Sequence, residues 1–162
     1  MKYLTFIIII FCTSCINKNP KTDNNTSNLN SMFIGKKCLS INKVLSKPIQ
    51  KQAIIIYLYH QYDCITCLEA GFEITKEIDA KFPYQKVYVI SLGSNTSFEQ
   101  STFKYYNYIY QDSQDFIRKE LKYIPTPVML YIDTTKTIRK ILQPKAYNSK
   151  EVKDFIKQIT TK

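Results

Sequence analysis

The sequence predicts an α/β domain built on a central mixed sheet with helices on both faces. Two continuous apolar and β-branched runs, 53–59 and 86–92, are typical of central strands buried on both sides. Between them, apolar residues recur at near-helical spacing from Leu68 to Phe82. A strand, a helix and a strand in this order form a βαβ unit, so the two strands should pair in parallel.

The C-terminal part of the chain predicts a hairpin followed by a helix. Residues 128–132 and 137–142 have strand composition and are joined by a turn that begins at Asp133, which makes the hairpin antiparallel. Asn148 and Glu151 have the spacing of a capping box, and apolar residues at helical spacing follow them. These elements complete the mixed sheet and cover one of its faces.

Three other segments carry weaker patterns. The tyrosine-rich run 105–110 predicts a strand or sheet-edge segment whose rings pack against the domain, rather than a platform for nucleic-acid bases. Ser113 is the expected cap of a short helix. Cys38 is expected to be a buried apolar thiol in an N-terminal strand within 33–45, rather than a third redox partner.

The first residues of the chain have the pattern of an export signal. The apolar run 4–11 follows a positive charge, matches the core of a signal peptide and is too short to span a bilayer. Thr13 and Ser14 before Cys15 resemble the lipobox of bacterial lipoproteins, in which the signal is cut before a cysteine that is then acylated. We therefore expect residues 1–14 to be a lipoprotein signal peptide and Cys15 the site of lipid attachment, with a plain secretory signal as the alternative.

Residues 15–31 are expected to be a lipidated, flexible tether that leads to a single domain at 32–162. Residues 17–31 contain one large apolar side chain, Leu29, so burial cannot offset the entropy of ordering them. Removal of the signal leaves 22 basic and 13 acidic residues, a net charge of +9. A lipid chain with basic residues supplies the two signals that stable membrane attachment requires.

The composition excludes several common chemistries. Gly35, Gly71 and Gly93 are the only glycines, so neither the dinucleotide-binding motif nor the P-loop can be present. His60 is the only histidine, which excludes metal sites that need several. The lysines are scattered and form no arginine-rich cluster, so we expect no nucleic-acid partner. Cysteine is the remaining reactive residue type.

Cys64 and Cys67 form a C-x-x-C motif where the first buried strand meets the following helix. Their offset within the first helical turn brings the sulfurs close, and the positive end of the helix stabilises a thiolate on Cys64. We therefore expect Cys64 to attack and Cys67, one turn further in, to resolve the mixed disulfide. A metal site that adds His60 and Cys38 is disfavoured because no second C-x-x-C completes a tetrahedron.

This pair, placed after a buried strand and followed later by an X-Pro before a strand, resembles the thioredoxin superfamily, particularly the lipid-anchored thioredoxin-like proteins of bacterial envelopes. The resemblance covers about residues 52–160 and implies a three-layer thioredoxin-like fold. It also implies a cis-proline that faces the cysteines, preceded by a residue whose backbone pairs with substrate. Pro125 matches the local thioredoxin triplet, but Thr126 and Pro127 have the envelope-family spacing to Asp133, and we favour them as the substrate-binding pair.

Two departures from the family pattern qualify this resemblance. Asp63 stands where the family commonly has tryptophan, and its charge should oppose a thiolate on Cys64, which a protonated His60 would counter. The family commonly places a buried acid on the preceding strand, and residues 56–59 contain none. These departures favour a specialised or slower exchange partner.

The predicted function is thiol–disulfide exchange by a membrane-tethered oxidoreductase that uses its Cys-Ile-Thr-Cys motif without a metal or other cofactor. Its partners would be thiols or disulfides of envelope proteins, and its N-terminal lipid would contact the membrane. We expect a monomer in the bacterial cell envelope that faces the periplasm or the exterior. The alternative is a non-enzymatic, thioredoxin-like binding lipoprotein in which the cysteine pair is a structural disulfide.

Overall fold

A computed structural model describes residues 24–45 and 52–160 of the chain. The predicted signal peptide 1–14, Cys15 and the first part of the predicted tether lie outside the described residues. The described ranges contain, in chain order, α1 (Asn24–Phe33), α2 (Ile41–Leu45), β1 (Ile54–Tyr59), α3 (Ile65–Lys81), β2 (Lys86–Ser91), α4 (Thr96–Phe103), β3 (Ile109–Gln111), α5 (Phe116–Glu120), β4 (Val128–Ile132), β5 (Ile138–Leu142) and α6 (Lys150–Thr160).

The five strands form one mixed sheet in the order β3-β2-β1-β4-β5. β1 pairs in parallel with β2, and β2 pairs in parallel with β3. β4 runs antiparallel to both β1 and β5. The predicted βαβ unit and the predicted hairpin are therefore confirmed, and β1 lies at the centre with all six residues buried.

Alternation along β1 divides the core into two layers, because successive side chains of a strand point to opposite faces. Ile54, Ile56 and Leu58 face α1, α2 and α5. Ile55, Tyr57 and Tyr59 face α3 and α6. Each fully buried side chain of this size contributes about 1.5–3 kcal/mol. The result is the expected sheet between two helical layers.

The second half of the predicted tether is helical. α1 begins at Asn24, and its residues Leu29 and Phe33, one turn apart, are buried in the core beside Ile138 and Ile141 of β5. The expectation of a flexible segment up to residue 31 is therefore wrong from Asn24 onward. The polar composition of this segment did not predict a helix. Two apolar residues on one helical face are nevertheless enough to anchor α1 to the surface on which it packs.

The segment 33–45 is not the predicted strand. Lys37 forms one isolated bridge with Thr137, and the chain then enters α2. Cys38 is fully buried, as predicted, and its N–H donates to the carbonyl of Lys136 at 2.9 Å. Edge pairing to the β4–β5 turn thus replaces an independent strand.

Two helix caps differ from the predicted ones. The carboxylate of Asp112, not Ser113, accepts from the N–H groups of Phe116 and Ile117, both at 2.9 Å. At α6 the hydroxyl of Ser149, not the side chain of Asn148, accepts from the N–H of Val152. Neighbouring residues of similar capping propensity compete, and the backbone path decides between them.

The tyrosine-rich run packs only in part. Tyr105 is buried, but Tyr106 and Tyr108 are 82% and 71% exposed. Regular pairing is limited to β3, which forms one edge of the sheet. Among the helices of the described residues, none is both long enough and apolar enough to cross a membrane.

Candidate active site

Cys64 lies in the N-cap position of α3, a few residues after the end of β1. Its backbone is extended, with φ −51° and ψ 120°, and its carbonyl accepts from the N–H groups of Cys67 and Leu68 at 3.0 and 2.9 Å. The side chain is exposed, whereas Cys67 is partly buried. The motif therefore occupies the positive end of a 17-residue helix, as the sequence predicts.

The surroundings of Cys64 stabilise a thiolate. A hydrogen bond from the Cys67 thiol contributes most, and the hydroxyl of Thr66, 3.1 Å from the Cys64 sulfur, adds a second. Together they lower the pKa of Cys64 from 9.0 to about 7. A cysteine with such a pKa is substantially ionised at neutral pH, which is the state that attacks disulfides.

Cys67 has the opposite environment. Burial raises its pKa first, and its hydrogen bond to Cys64 raises the pKa further. The two cysteines are thus distinguished by geometry: one exposed and acidic, the other protected and protonated. Cys64 is the residue predicted to attack, and Cys67 is the residue predicted to resolve.

The loop before β4 lies against the cysteine loop. The Thr126–Pro127 peptide bond is cis, so the preference for Pro127 over Pro125 as the cis-proline is confirmed. The hydroxyl of Thr126 donates to Oδ1 of Asp63 at 3.0 Å, across 63 positions of sequence. The predicted substrate-binding pair is therefore held next to the residue that precedes Cys64.

Asp63 connects the cysteine loop to the loop before β4. Its Oδ2 accepts from the N–H of His60 at 2.8 Å while Oδ1 accepts from Thr126. Its charge acts on Cys67, whose pKa it raises, and the pKa of Cys64 is low despite the expected opposition. The Nδ1 atom of His60 accepts from the N–H of Tyr62 at 3.2 Å.

Comparison with known proteins identifies the architecture. No family model and no curated protein sequence matches the chain. Among solved structures, the thiol:disulfide interchange protein DsbE of Chlorobium tepidum is similar over 79% of this chain and 96% of its own, with TM-score 0.57 and 10% identity. A secreted disulfide oxidoreductase of Mycobacterium tuberculosis is similar over 82% and 96%, with TM-score 0.53 and 12% identity.

A third similar structure is the thioredoxin domain of a thiol-disulfide oxidoreductase from Bacteroides vulgatus, over 69% of this chain and 81% of that domain, with TM-score 0.54 and 11% identity. The chain has a thioredoxin-like fold. At these identities the likeness establishes the fold, while the chemistry depends on the residues already described.

A buried acid is present in this thioredoxin-like domain, although on an unexpected element. Glu99 of α4 is 3% exposed and accepts from the Tyr59 hydroxyl at 2.5 Å and from the Ser91 hydroxyl at 3.0 Å. Residues 56–59 contain no acid, and the weak pattern of residues 96–103 does not predict a helix. The available signal was Asn95, whose side chain caps α4 by accepting from the N–H of Phe98.

A second buried tyrosine lies beneath the first turns of α3. The Tyr57 hydroxyl donates to the carbonyl of Leu68 at 3.3 Å. Gly71, one turn after Cys67, makes room for this ring, because a Cβ there would lie 2.3 Å from the Tyr57 hydroxyl oxygen. Tyr57 stacks on Tyr59 with ring centroids 5.2 Å apart. The helix that carries the cysteines therefore packs on the stacked rings of Tyr57 and Tyr59.

Other sequence-predicted candidates lie elsewhere. Cys38 belongs to the opposite core layer, and burial raises its pKa to about 12. Within 24–45 and 52–160 no three histidine, cysteine, aspartate or glutamate side chains converge on a potential metal position. Cys15 lies outside the described residues.

Proposed function

We propose that the protein is a membrane-tethered thiol–disulfide oxidoreductase that exchanges disulfides with proteins of the bacterial cell envelope. The observation that carries this proposal is the contrast between Cys64, exposed with a pKa of about 7, and Cys67, partly buried with a raised pKa. A disulfide that only stabilises the fold does not need two sulfurs that differ in exposure and pKa. An exchange reaction requires this difference, because one sulfur must attack first and the other must wait.

The proposed reaction has two steps. The Cys64 thiolate attacks one sulfur of a partner disulfide, which forms a mixed disulfide and releases one partner thiolate. Cys67 then loses its proton to solvent and attacks the Cys64 sulfur, which forms the internal disulfide and releases the second partner thiolate. Each released thiolate takes up a proton, so two electrons pass from the cysteine pair to the partner; the reverse sequence oxidises a partner dithiol.

The Thr126–Pro127 loop is the proposed docking site for the partner segment. The hydroxyl of Thr126 donates to Asp63, the residue before Cys64, and the backbone of Thr126 is the proposed partner of an extended peptide segment. Pairing of this kind supplies main-chain hydrogen bonds that do not depend on the partner's sequence.

Membrane attachment is the second part of the proposal. It rests on the lipobox-like residues before Cys15 and on the signal-like run before them. The similar Mycobacterium protein is secreted, which agrees with an exported location. Because α1 begins at Asn24, the proposed tether ends before that residue. A Cys15→Ser variant should fail to incorporate labelled palmitate, and labelling that persists in this variant would contradict lipid attachment at Cys15.

The central test is capture of the exchange intermediate. In Cys67→Ser, attack by Cys64 should stop at the mixed disulfide, so partner adducts should accumulate and disappear on reduction. The double variant with Cys64→Ser is the matched control and should give no adducts. A Cys67→Ser variant without adducts would refute exchange with envelope proteins.

The reduction potential separates exchange from the structural alternative. An exchanging pair should have a potential between about −120 and −270 mV, whereas a structural disulfide lies below about −300 mV. Equilibration with glutathione or thioredoxin of known potential gives the value. A potential in the lower range would favour the binding lipoprotein over the oxidoreductase.

A further inference from the structure

A tyrosine-lined cavity lies at the edge of the sheet, in a region that the proposed exchange reaction does not use. It has a volume of about 320 Å³. We call this cavity the tyrosine groove. The residues that define it are Tyr88, Tyr105, Tyr108, Tyr110, Asp79 and Asn107. The groove combines the tyrosine-rich run of the sequence with the C-terminal half of α3.

The aromatic part of the groove is a chain of touching rings. Tyr108 and Tyr110 have centroids 4.6 Å apart in an edge-to-face arrangement, and Tyr110 lies 5.7 Å from Tyr88. Tyr108 is 71% exposed, so its ring is available to a ligand. The face of an aromatic ring carries negative charge density and attracts weakly positive C–H edges. Such rings favour a ligand that presents a flat face of C–H bonds.

The polar part of the groove offers both acceptors and donors. Oδ2 of Asp79 accepts from the Tyr105 hydroxyl at 3.1 Å and from the Asn107 amide at 2.9 Å. Both bonds engage Oδ2, so Oδ1 is the oxygen that the proposal assigns to a ligand hydroxyl. Partial burial raises the pKa of Asp79.

The charges of the groove balance. Lys86 also lines the cavity, so its positive charge offsets that of Asp79. An anionic or a cationic ligand would meet one group of like charge, and a neutral ligand would meet none. The remaining polar lining, from Asn107 and Gln85, is uncharged.

We propose that the tyrosine groove binds a neutral glycan. A pyranose ring has the two properties that this lining selects: a flat C–H face for the tyrosine rings and a rim of hydroxyls for Asp79, Asn107 and Lys86. The cavity volume is at the lower end of the roughly 300–1,000 Å³ typical of ligand sites, which suits a short stretch of sugar rings.

The position of the groove separates it from the cysteine pair. Lys86 begins β2 and pairs with Ile54 at the start of β1, whereas Cys64 follows the end of β1. The six residues of β1 span about 17–20 Å. Glycan bound at one end of the sheet would therefore leave the other end free, and the proposal does not rest on the proposed exchange reaction.

The test is titration of the full chain with N,N′,N″-triacetylchitotriose and with maltotriose, followed by calorimetry and by backbone amide shifts in NMR. At least one sugar should bind weakly, with shifts at residues 105–110. Tyr108→Ala should weaken that binding about tenfold. Tyr106→Ala is the matched control, because Tyr106 is 82% exposed in the same segment and does not line the cavity; its affinity should be unchanged.

Two further arms make the result decisive. Asp79→Asn keeps the shape of the side chain and should also weaken sugar binding, so a folding defect in one variant does not leave the proposal without a test. A proline decapeptide addresses the other ligand class that aromatic grooves accept. Saturable binding of this peptide without sugar binding, no binding of either sugar, or equal effects of Tyr106→Ala and Tyr108→Ala would each overturn the proposal.

Discussion

The low pKa of Cys64 gives a prediction that can be worked out in numbers. With a pKa of about 7, half of the thiol is ionised at pH 7, whereas a pKa of 9.0 would leave about one part in a hundred. The gain in thiolate is therefore about 50-fold. The intrinsic nucleophilicity of a thiolate falls as its pKa falls, with a Brønsted slope of about 0.4–0.5. Over this difference in pKa the loss of nucleophilicity is about 6- to 10-fold, which offsets part of the gain in thiolate. Cys64 should react about 5- to 8-fold faster at pH 7 than an unperturbed cysteine.

Replacement of Cys67 by alanine tests the physical cause. The hydrogen bond from Cys67 is the largest contribution to the lowered pKa, so its loss should raise the pKa of Cys64 from about 7 toward 9.0. The sign is fixed by the state that the bond stabilises: a donor to the thiolate favours ionisation, and its removal disfavours it. Reactivity at pH 7 should fall, while the plateau rate at high pH should rise because the thiolate is more basic.

The assay is alkylation of Cys64 by iodoacetamide between pH 5 and 10, followed by mass spectrometry of the Cys64 peptide in the reduced protein. Cys67→Ser is the matched control, since a hydroxyl can still donate to the thiolate and should keep the midpoint low. A wild-type midpoint above 8.5, or equal midpoints for Cys67→Ala and Cys67→Ser, would refute the reasoning.

Three further predictions concern packing, docking and the third described cysteine. Gly71→Ala places a Cβ 2.3 Å from the ring of Tyr57, so overpacking of about 1–3 kcal/mol should exceed the gain of about 1 kcal/mol in helix propensity; thermal unfolding should begin a few degrees lower, and an unchanged melting temperature would contradict this. Thr126→Val removes the hydrogen bond to Asp63 and should slow exchange with a disulfide-bonded protein but not alkylation by a small reagent. Equal exchange rates of the wild type and this variant with the protein partner would refute a role of this bond in docking. Cys38, fully buried with its pKa raised to about 12, should resist alkylation at pH 9 until urea unfolds the protein; labelling in the native state would contradict this.

The elements that were predicted well are those whose signal is local and strong. β1 and β2 are continuous β-branched runs, and α3 keeps its apolar spacing over 17 residues. The elements that were missed have weak local signals. α4 is largely polar, and its Glu99 is buried because Tyr59 and Ser91 of two neighbouring strands donate to it.

Capping and packing show the same limit. α1 was expected to be flexible because its composition is polar, but Leu29 and Phe33 are buried against β5, a strand more than a hundred residues later. A composition argument counts apolar residues and takes no account of which distant surface is ready to receive them. The side chains that bond the first N–H groups of α5 and α6 belong to Asp112 and Ser149, each one residue away from the predicted cap, because propensity alone does not fix the backbone path.

The sequence by itself determined that a C-x-x-C pair opens a helix after a buried strand, because strand composition, helical spacing and the three-residue offset are properties of adjacent residues. Only the tertiary structure decided what surrounds that pair. The cis-proline loop is hydrogen-bonded to Asp63 across 63 positions of sequence, and the ring of Tyr57 packs under α3 because Gly71 has no Cβ. These contacts join segments that are far apart in sequence. Their geometry depends on how the whole sheet registers, which no local pattern encodes.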